Sequence, residues 1–319
     1  NNRFERTRGT SPLAAQPNVG WTLRARKKRR SEKMCDQNKK LTPVWIVYVD
    51  GKRLDTKHEG ALQKIIVKNR LNGIDSCSLY FDNSSIKVRD EGFIAFGSEI
   101  SVHLGYKDSV QEIFYGEVTG FKIELQEYEN ERSIVRMHSI LHNLDHGKHC
   151  RTYTNKDMAE IAKQILDIYG IESDIDQFGI QKNEISQQDE SDYVFVLRNA
   201  AMYGMFMYTK GKKVYIKRDI LENNEDLIFE WGKSLIAIET RQDISKLINE
   251  TEVIGWDFRK GESFVAKATV NDLPIRIGGG KSWNDNGRNV CYTETLCDHG
   301  IADSEEAKQR AIGQQMLRS

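Results

Sequence analysis

The side chains with metal-binding or nucleophilic character fall into two short groups. His142, His146, His149 and Cys150 lie within nine residues, and Cys291, Cys297 and His299 lie within another nine. A structural zinc needs four N/S ligands converging tetrahedrally. The spacings HxxxHxxHC and CxxxxxCxH match no usual zinc pattern, so the first group reads as a solvated loop and no metal site is expected. The run Ile275-Arg-Ile-Gly-Gly-Gly-Lys-Ser282 suggests a phosphate loop at first sight. A P-loop has a glycine five residues before its Gly-Lys pair and a helix after it. Here that position is Ile275, and the turn-like Ser-Trp-Asn-Asp-Asn-Gly follows, so the run reads as a plain loop. Asp189, Glu190 and Asp192 are acids at a helix start, where they complement the helix dipole. The chain contains no Gly-x-Ser-x-Gly elbow, HExxH or GxGxxG. No nucleophile stands beside a base in sequence. The expectation is therefore no catalytic residue, no cofactor and no enzyme.

The whole chain bounds the answer further. Its 319 residues suggest about two domains. A hydrophobic share of 39% and a charged share of 29% are ordinary for a globular protein. Net charge is zero but uneven: residues 1–40 hold 12 Lys/Arg against 3 Asp/Glu, a balance of +9, which leaves −9 for the rest. The body is thus mildly acidic, which argues against a nucleic-acid grip by the folded part. The basic run Arg24, Arg26, Lys27, Lys28, Arg29 and Arg30 has no periodic apolar partner and reads as a disordered leader. Met34, just before the first strand, reads as the natural start, so residues 1–33 are expected to show no ordered packing. Five cysteines (35, 77, 150, 291, 297) are odd in number and read as reduced thiols. The apolar run Val44–Val49 is too short to span a bilayer, and no secretory h-region precedes it.

The elements that would position any site are mostly strands. In Val44–Val49, Val44, Ile46 and Tyr48 face one side while Trp45, Val47 and Val49 face the other, and Asp50-Gly51 is a hairpin turn. Strands are expected at Leu62–Val67, Ser76–Phe81, Glu99–Tyr106, Gln111–Gln126 and Ser133–Leu141. Gly116 and Gly120 inside the longest one suggest the bends that closing a barrel requires. The period then changes. Asn155 is expected to cap a helix carrying Met158, Ile161, Ala162, Ile165, Leu166 and Tyr169, stopped by Gly170. Asp189, Ser191 or Asp192 opens a second helix that ends at Gly204. A hairpin, Met205–Thr209 and Lys212–Lys217, follows. Strands return at Leu235–Arg241, Glu250–Asp257 and Ser263–Val270. Asp303 and Glu306 make a capping box for a last helix. The expected class is mainly β with an α+β insertion. Its domains are a leader at 1–40, a first antiparallel β-barrel at 41–150, a helix–helix–hairpin unit at 151–233, and second-barrel strands with a helix at 234–319.

The order of these pieces resembles a known family. Asn155 to Gly170 is a helix ending in Tyr169-Gly170. Asp189-Glu-Ser-Asp-Tyr-Val-Phe-Val-Leu-Arg-Asn-Ala-Ala-Met-Tyr-Gly204 follows, then a hairpin through Gly211 to Ile216. This resembles the phage late-control D proteins, the tail hubs of contractile phages, whose module also heads the VgrG spikes of type VI secretion. Ser191, Asp192, Phe195, Arg198, Ala200 or Ala201, and Gly204 fit the family's E-S-D-x-x-F-L-x-R-L-A-x-x-x-G pattern, while Asn199 replaces a Leu. Phe114 to Gly120, around Gly116, is similar to a family strand, and Gly255-Trp256-Asp257 to the strand that resumes the second barrel.

The resemblance implies a structural baseplate hub. Two barrels per chain would close as a homotrimer into a pseudo-sixfold ring that joins a hexameric tail tube to a threefold spike. It implies a tail tube protein, a spike or tip protein and baseplate wedge proteins as partners. No specific small molecule and no membrane insertion by this chain are implied. Assembly would take place in the bacterial cytoplasm, for a virion tail or an injection particle. No spike segment follows the hub region, so a needle would come from another chain or a further C-terminal part. A type VI VgrG-like spike head is the alternative within this class. The alternatives from other classes are a hub-linked cell-wall hydrolase, and a DNA-binding protein using Arg24–Arg30 with the steep salt dependence that implies.

Overall fold

The computed structural model describes residues 42–82, 92–106, 109–124, 131–219, 237–239, 248–257, 260–273, 292–297, 300–301 and 303–318. The basic run at 24–30, the glycine-rich run at 275–282, Cys35, Cys291 and His299 lie outside them.

Strands β1 (Pro43–Val49), β2 (Lys52–Arg53), β3 (Leu62–Lys68), β4 (Ser76–Asp82), β5 (Glu99–Tyr106), β6 (Ser109–Glu124) and β7 (Arg132–His138) form one antiparallel sheet in the order β2-β1-β5-β6-β7-β4-β3. Asp50 (φ 49°) and Gly51 (φ 75°) make the β1–β2 turn. Positive φ at both central residues matches the right-handed twist of the strands. Strand β6 spans 16 residues and belongs to two ladders. Its first half pairs with β5 and its second with β7, with a bulge between Val118 and Gly120. This lets the sheet roll so that Val47, Ile100 and Val102 share one core with Leu79, Phe81, Val135 and Met137. Helix α1 (Thr56–Ala61) adds Ala61 to that core.

The roll does not close. No sheet among the described residues is a barrel, where two barrels were expected. The margins of the seven-stranded sheet show why. Strand β2 has only two residues, Lys52 and Arg53, and β3 carries Lys64 and Lys68 along its free edge. Short, lysine-bearing margins resist further pairing.

Ser133–Leu141 was expected as one strand, but β7 stops at His138. A 3-10 turn, Ile140–Asp145, follows and buries Ile140, Leu141 and Leu144. It leads into the α+β unit: β8 (His149–Lys156), α2 (Met158–Ile168), β9 (Glu172–Ile175), β10 (Lys182–Glu190), α3 (Asp192–Met202), β11 (Phe206–Lys210) and β12 (Lys213–Lys217). Helix α2 is capped by Asp157, not Asn155. The Asp157 carboxylate accepts the Glu160 N–H (2.9 Å), and Glu160 accepts the Asp157 N–H in return (3.3 Å). Asn155 instead sits at φ 53° within β8. Met158, Ile161, Ala162, Ile165 and Leu166 are buried at helical spacing and pack on Phe195, Val196 and Ala200 of α3 and on Val214 and Ile216 of β12. The apolar stripe, not propensity alone, holds so short a helix.

The last sheet has the order β14-β13-β15, with β13 (Glu250–Asp257), β14 (Glu262–Thr269) and β15 (Thr293–Cys297), β15 running parallel to β13. Helix α4 (Ser304–Arg318) covers one face, where Val253, Ala268, Ile301, Ala307 and Ala311 are buried. Of the expected strand Leu235–Arg241, residues 237–239 carry no strand and the rest lie outside the described residues. Among the described residues no helix is long and apolar enough to cross a membrane.

Candidate functional site

The residues that carried the resemblance converge on one carboxylate. Ser191 caps α3: its Oγ accepts the Val194 N–H (3.2 Å) and donates to Asp145 (2.7 Å) on the 3-10 turn. Asp192, the first helical residue, is fully buried. Its two oxygens receive Arg151 Nη1 of β8 (2.9 and 3.0 Å), the Tyr169 hydroxyl at the end of α2 (2.8 Å) and Gln187 Nε2 of β10 (2.8 Å). Burial alone pushes such a carboxyl up. Here the hydrogen bonds from Gln187, Tyr169 and Arg151, together with the Arg151 charge, outweigh burial and hold Asp192 below the usual carboxylate range. Four elements thus meet at one ionised group. Its place at a helix N-terminus adds the dipole's attraction.

The neighbouring motif residues extend this frame. Gly170 stands at φ 64° just past α2, the left-handed position that ends a helix cheaply only with glycine. Phe195 is fully buried and stacks on Tyr153, with ring centroids 6.0 Å apart. Arg198 reaches back to both oxygens of Glu190 (3.3 and 2.8 Å) on the surface.

Gly204 serves two ends. It has φ 69° at the stop of α3, and a Cβ there would lie 2.9 Å from the Gly313 Cα of α4. Gly313 is tighter still: a Cβ would sit 2.6 Å from both Gly204 N and the Met202 carbonyl oxygen. The two glycines let α3 and α4 touch backbone to backbone. Beside that contact lies buried Glu306. Its Oε1 accepts the Tyr203 hydroxyl (2.8 Å) and meets Lys182 (2.8 Å) and Arg310 (2.9 Å). Burial, with the Glu306 carboxylate beside it, drives the Tyr203 phenol upward. The expected capping box is therefore only half formed. Asp303 accepts the Glu305 N–H (2.8 Å), while Glu306 turns inward to tie α4 to the α+β unit.

The other motif residues stand apart from this network. Gly116 is where β6 passes β7: a Cβ would meet the His138 carbonyl oxygen at 2.2 Å. At Gly255 a Cβ would meet the Phe264 ring at 2.3 Å, Trp256 is 40% exposed on the uncovered face, and Asp257 accepts the Lys260 and Gly261 N–H groups in the β13–β14 turn.

Sequence reading missed Arg151, Gln187, Lys182, Tyr203 and Gly313, and gave Glu306 only a capping role, because these residues lie on separate elements. It also missed the seat between sheet and α+β unit. The Asn72 turn (φ 56°) exchanges two 2.8 Å bonds with the Met207 backbone, and buried Asp75 accepts the Thr209 hydroxyl (2.6 Å) and the Arg70 N–H (2.6 Å).

No group of three or more His, Cys, Asp or Glu among the described residues is arranged to hold a metal ion. Cys77, Cys150 and Cys297 are free thiols. A cleft of about 700 Å³ lies between the start of β10, the β13–β14 turn and the start of α4. The site is thus a set of structural ties: its charges face one another.

Among solved structures the chain is similar to the 43 kDa tail protein of prophage MuSo2 from Shewanella oneidensis, at 13% identity and TM-score 0.58, over 85% of this chain and 77% of that one. A tail protein from Neisseria meningitidis matches at 11% identity and TM-score 0.54, over 84% and 74% of the two chains. Prophage tail protein gp18 from Listeria monocytogenes matches at 12% and 0.51, over 83% and 76%. At these identities the likeness is one of fold. No curated protein matches the sequence. The model of the Alg8 N-terminal domain family matches residues 39–312, and the chain belongs to that family.

Proposed function

We propose that this chain is a structural hub of a contractile tail or tail-like injection particle, acting by shape and not by catalysis. Three copies form a ring that joins a sixfold tube to a threefold spike, and the α+β unit offers the outward surface for wedge proteins. The observation that carries this reading is the fold shared with phage tail proteins over 85% of the chain. The buried Glu306 tie supports it, because it locks α4 to the α+β unit, as a component that transmits load requires. In such a ring the rolled sheets of successive copies stand side by side with their lysine-bearing margins unpaired. Closed symmetry keeps that contact from running on into a filament. The particle is assembled in the bacterial cytoplasm. Light scattering on the purified protein, followed by imaging of particles carrying a labelled copy, tests the proposal. A trimer, and label on the tail axis between tube and spike, are expected. A monomer at all concentrations, or label off that axis, refutes it.

A further inference from the structure

Side chains alternate along a strand, and the ladder register fixes which of them share the outer face of the rolled sheet. Across β3, β4 and β7, Lys64 stands level with Tyr80 and Lys68 with Ser76. Arg136 falls in the row between them, level with Ser78. At strand spacings these three cations lie within roughly 15 Å of one another. All three are exposed, and among the described residues none is ion-paired. Lys64 rests over the Tyr80 ring, 5.5 Å from its centroid. Arg70, exposed just past β3, adds a fourth unpaired cation. On a body whose residues 41–319 carry a net −9, such a face is an exception.

Its counterpart is the cleft of about 700 Å³ between β10, the β13–β14 turn and α4. Glu262 and Asp303 line that cleft, both exposed and neither ion-paired among the described residues. Glu305 follows on α4, likewise exposed. The cations of the cleft are already engaged: Lys260 with Asp257 (3.7 Å) and Lys182 with Glu306 (2.8 Å). Glu306 also lines the cleft, is 1% exposed, and has no hydrogen-bond partner for its Oε2 among the described residues. A buried acceptor left without a donor is costly. The cleft thus has acceptors to spare, and the sheet face has donors to spare.

We propose that these two surfaces bind each other between copies of the chain, with Lys64, Lys68 and Arg136 of one copy set against Glu262 and Asp303 of the next. This interface rests on the ring proposed above. The two surfaces differ, so the contact is heterologous and closes when its rotation returns to the first copy. It joins faces and not strand edges, so the lysine-bearing margins stay out of ladder pairing. Exposed charges of this kind set register and partner choice, and salt screens them.

Sedimentation of the full chain over a range of concentrations, at about 0.05 M and about 0.5 M salt, tests this. Lys68→Glu with Arg136→Glu should raise the concentration for half-assembly about tenfold or more, and so should Glu262→Lys with Glu305→Lys. A chain carrying all four changes has opposite charges at each contact again and should recover most of the loss, which independent damage to two surfaces would not allow. High salt should weaken the native trimer and shrink these differences. A trimer that neither pair weakens, or no recovery with all four changes, overturns the interface and leaves the hub reading standing. A monomer throughout overturns both. Unchanged assembly of Lys68→Glu/Arg136→Glu, with loss of binding to a DNA duplex, gives the face to nucleic acid and also overturns it. Should a variant not fold, the native chain decides: a half-assembly concentration equal at the two salts overturns the proposal.

Discussion

Replacing Asp192 by Asn keeps the shape of the side chain and removes its charge. Asp192 accepts four contacts within 3.0 Å from three donor groups. Asn has one acceptor oxygen, and its NH2 would face donors on the other side. Two hydrogen bonds to a charged group are lost, at about 1.5–3 kcal/mol each. Arg151 keeps 30% of its side chain exposed, so water recovers part of its loss. The net cost expected is about 2–4 kcal/mol, below the ~3–5 kcal/mol of a wholly buried pair broken on one side. For a chain of this size that is a fall in Tm of roughly 3–7 °C. Thermal melting of Asp192→Asn, Arg151→Gln and the double variant measures it. The double variant should cost less than the sum of the singles, since each single strands the other's partner. A loss under about 0.5 kcal/mol, or strict additivity, would falsify the view that Asp192 is where these elements are joined.

Further outcomes follow from the same geometry. Gly313→Ala would favour an isolated helix by about 0.8–1 kcal/mol, but here its Cβ meets backbone at 2.6 Å. Urea unfolding should show net destabilisation of about 1–3 kcal/mol, whereas Gly120→Ala, 3.7 Å from its nearest neighbour, should be far milder. Asp192 sits below the usual carboxylate range when folded, so its stabilisation is present above that range and disappears as pH falls through the folded value. Acid titration should therefore show an unfolding step that Asp192→Asn lacks. Burial pushes the Cys77 thiol to about 12, so a thiol reagent at neutral pH should label exposed Cys150 and Cys297 and reach Cys77 only after unfolding. Asn72→Ala removes the acceptor of the Met207 N–H and should cost about 1–2 kcal/mol, read as lost hydrogen-exchange protection in β11.

Local pattern carried most of the elements. Alternation in Val44–Val49, the Asp50-Gly51 turn, the helical stripe from Met158 to Leu166 and the glycine stops at Gly170 and Gly204 depend on neighbours within a few residues, so they are legible in one dimension. The Ser191–Asp192 pair was legible too, as a family motif and a helix start. Its partners were not: Arg151, Tyr169 and Gln187 meet it only after β8, α2 and β10 have packed. Glu306 shows the same limit from the other side. Its position three residues after Asp303 is a local capping signal, yet the free energy favoured an inward carboxylate with Tyr203, Lys182 and Arg310.

Closure of the sheets was likewise beyond local reading. Whether Gly116 and Gly120 bend a strand into a barrel or into an open roll depends on what lies at the margins, and those are the lysine-bearing β2 and β3. Periodicity and turn chemistry are properties of short stretches and belong to the sequence by itself. Which charge faces which, and which edge stays unpaired, are long-range outcomes that the tertiary structure alone decided, because burial changes the energy of a polar group only once the chain has closed around it.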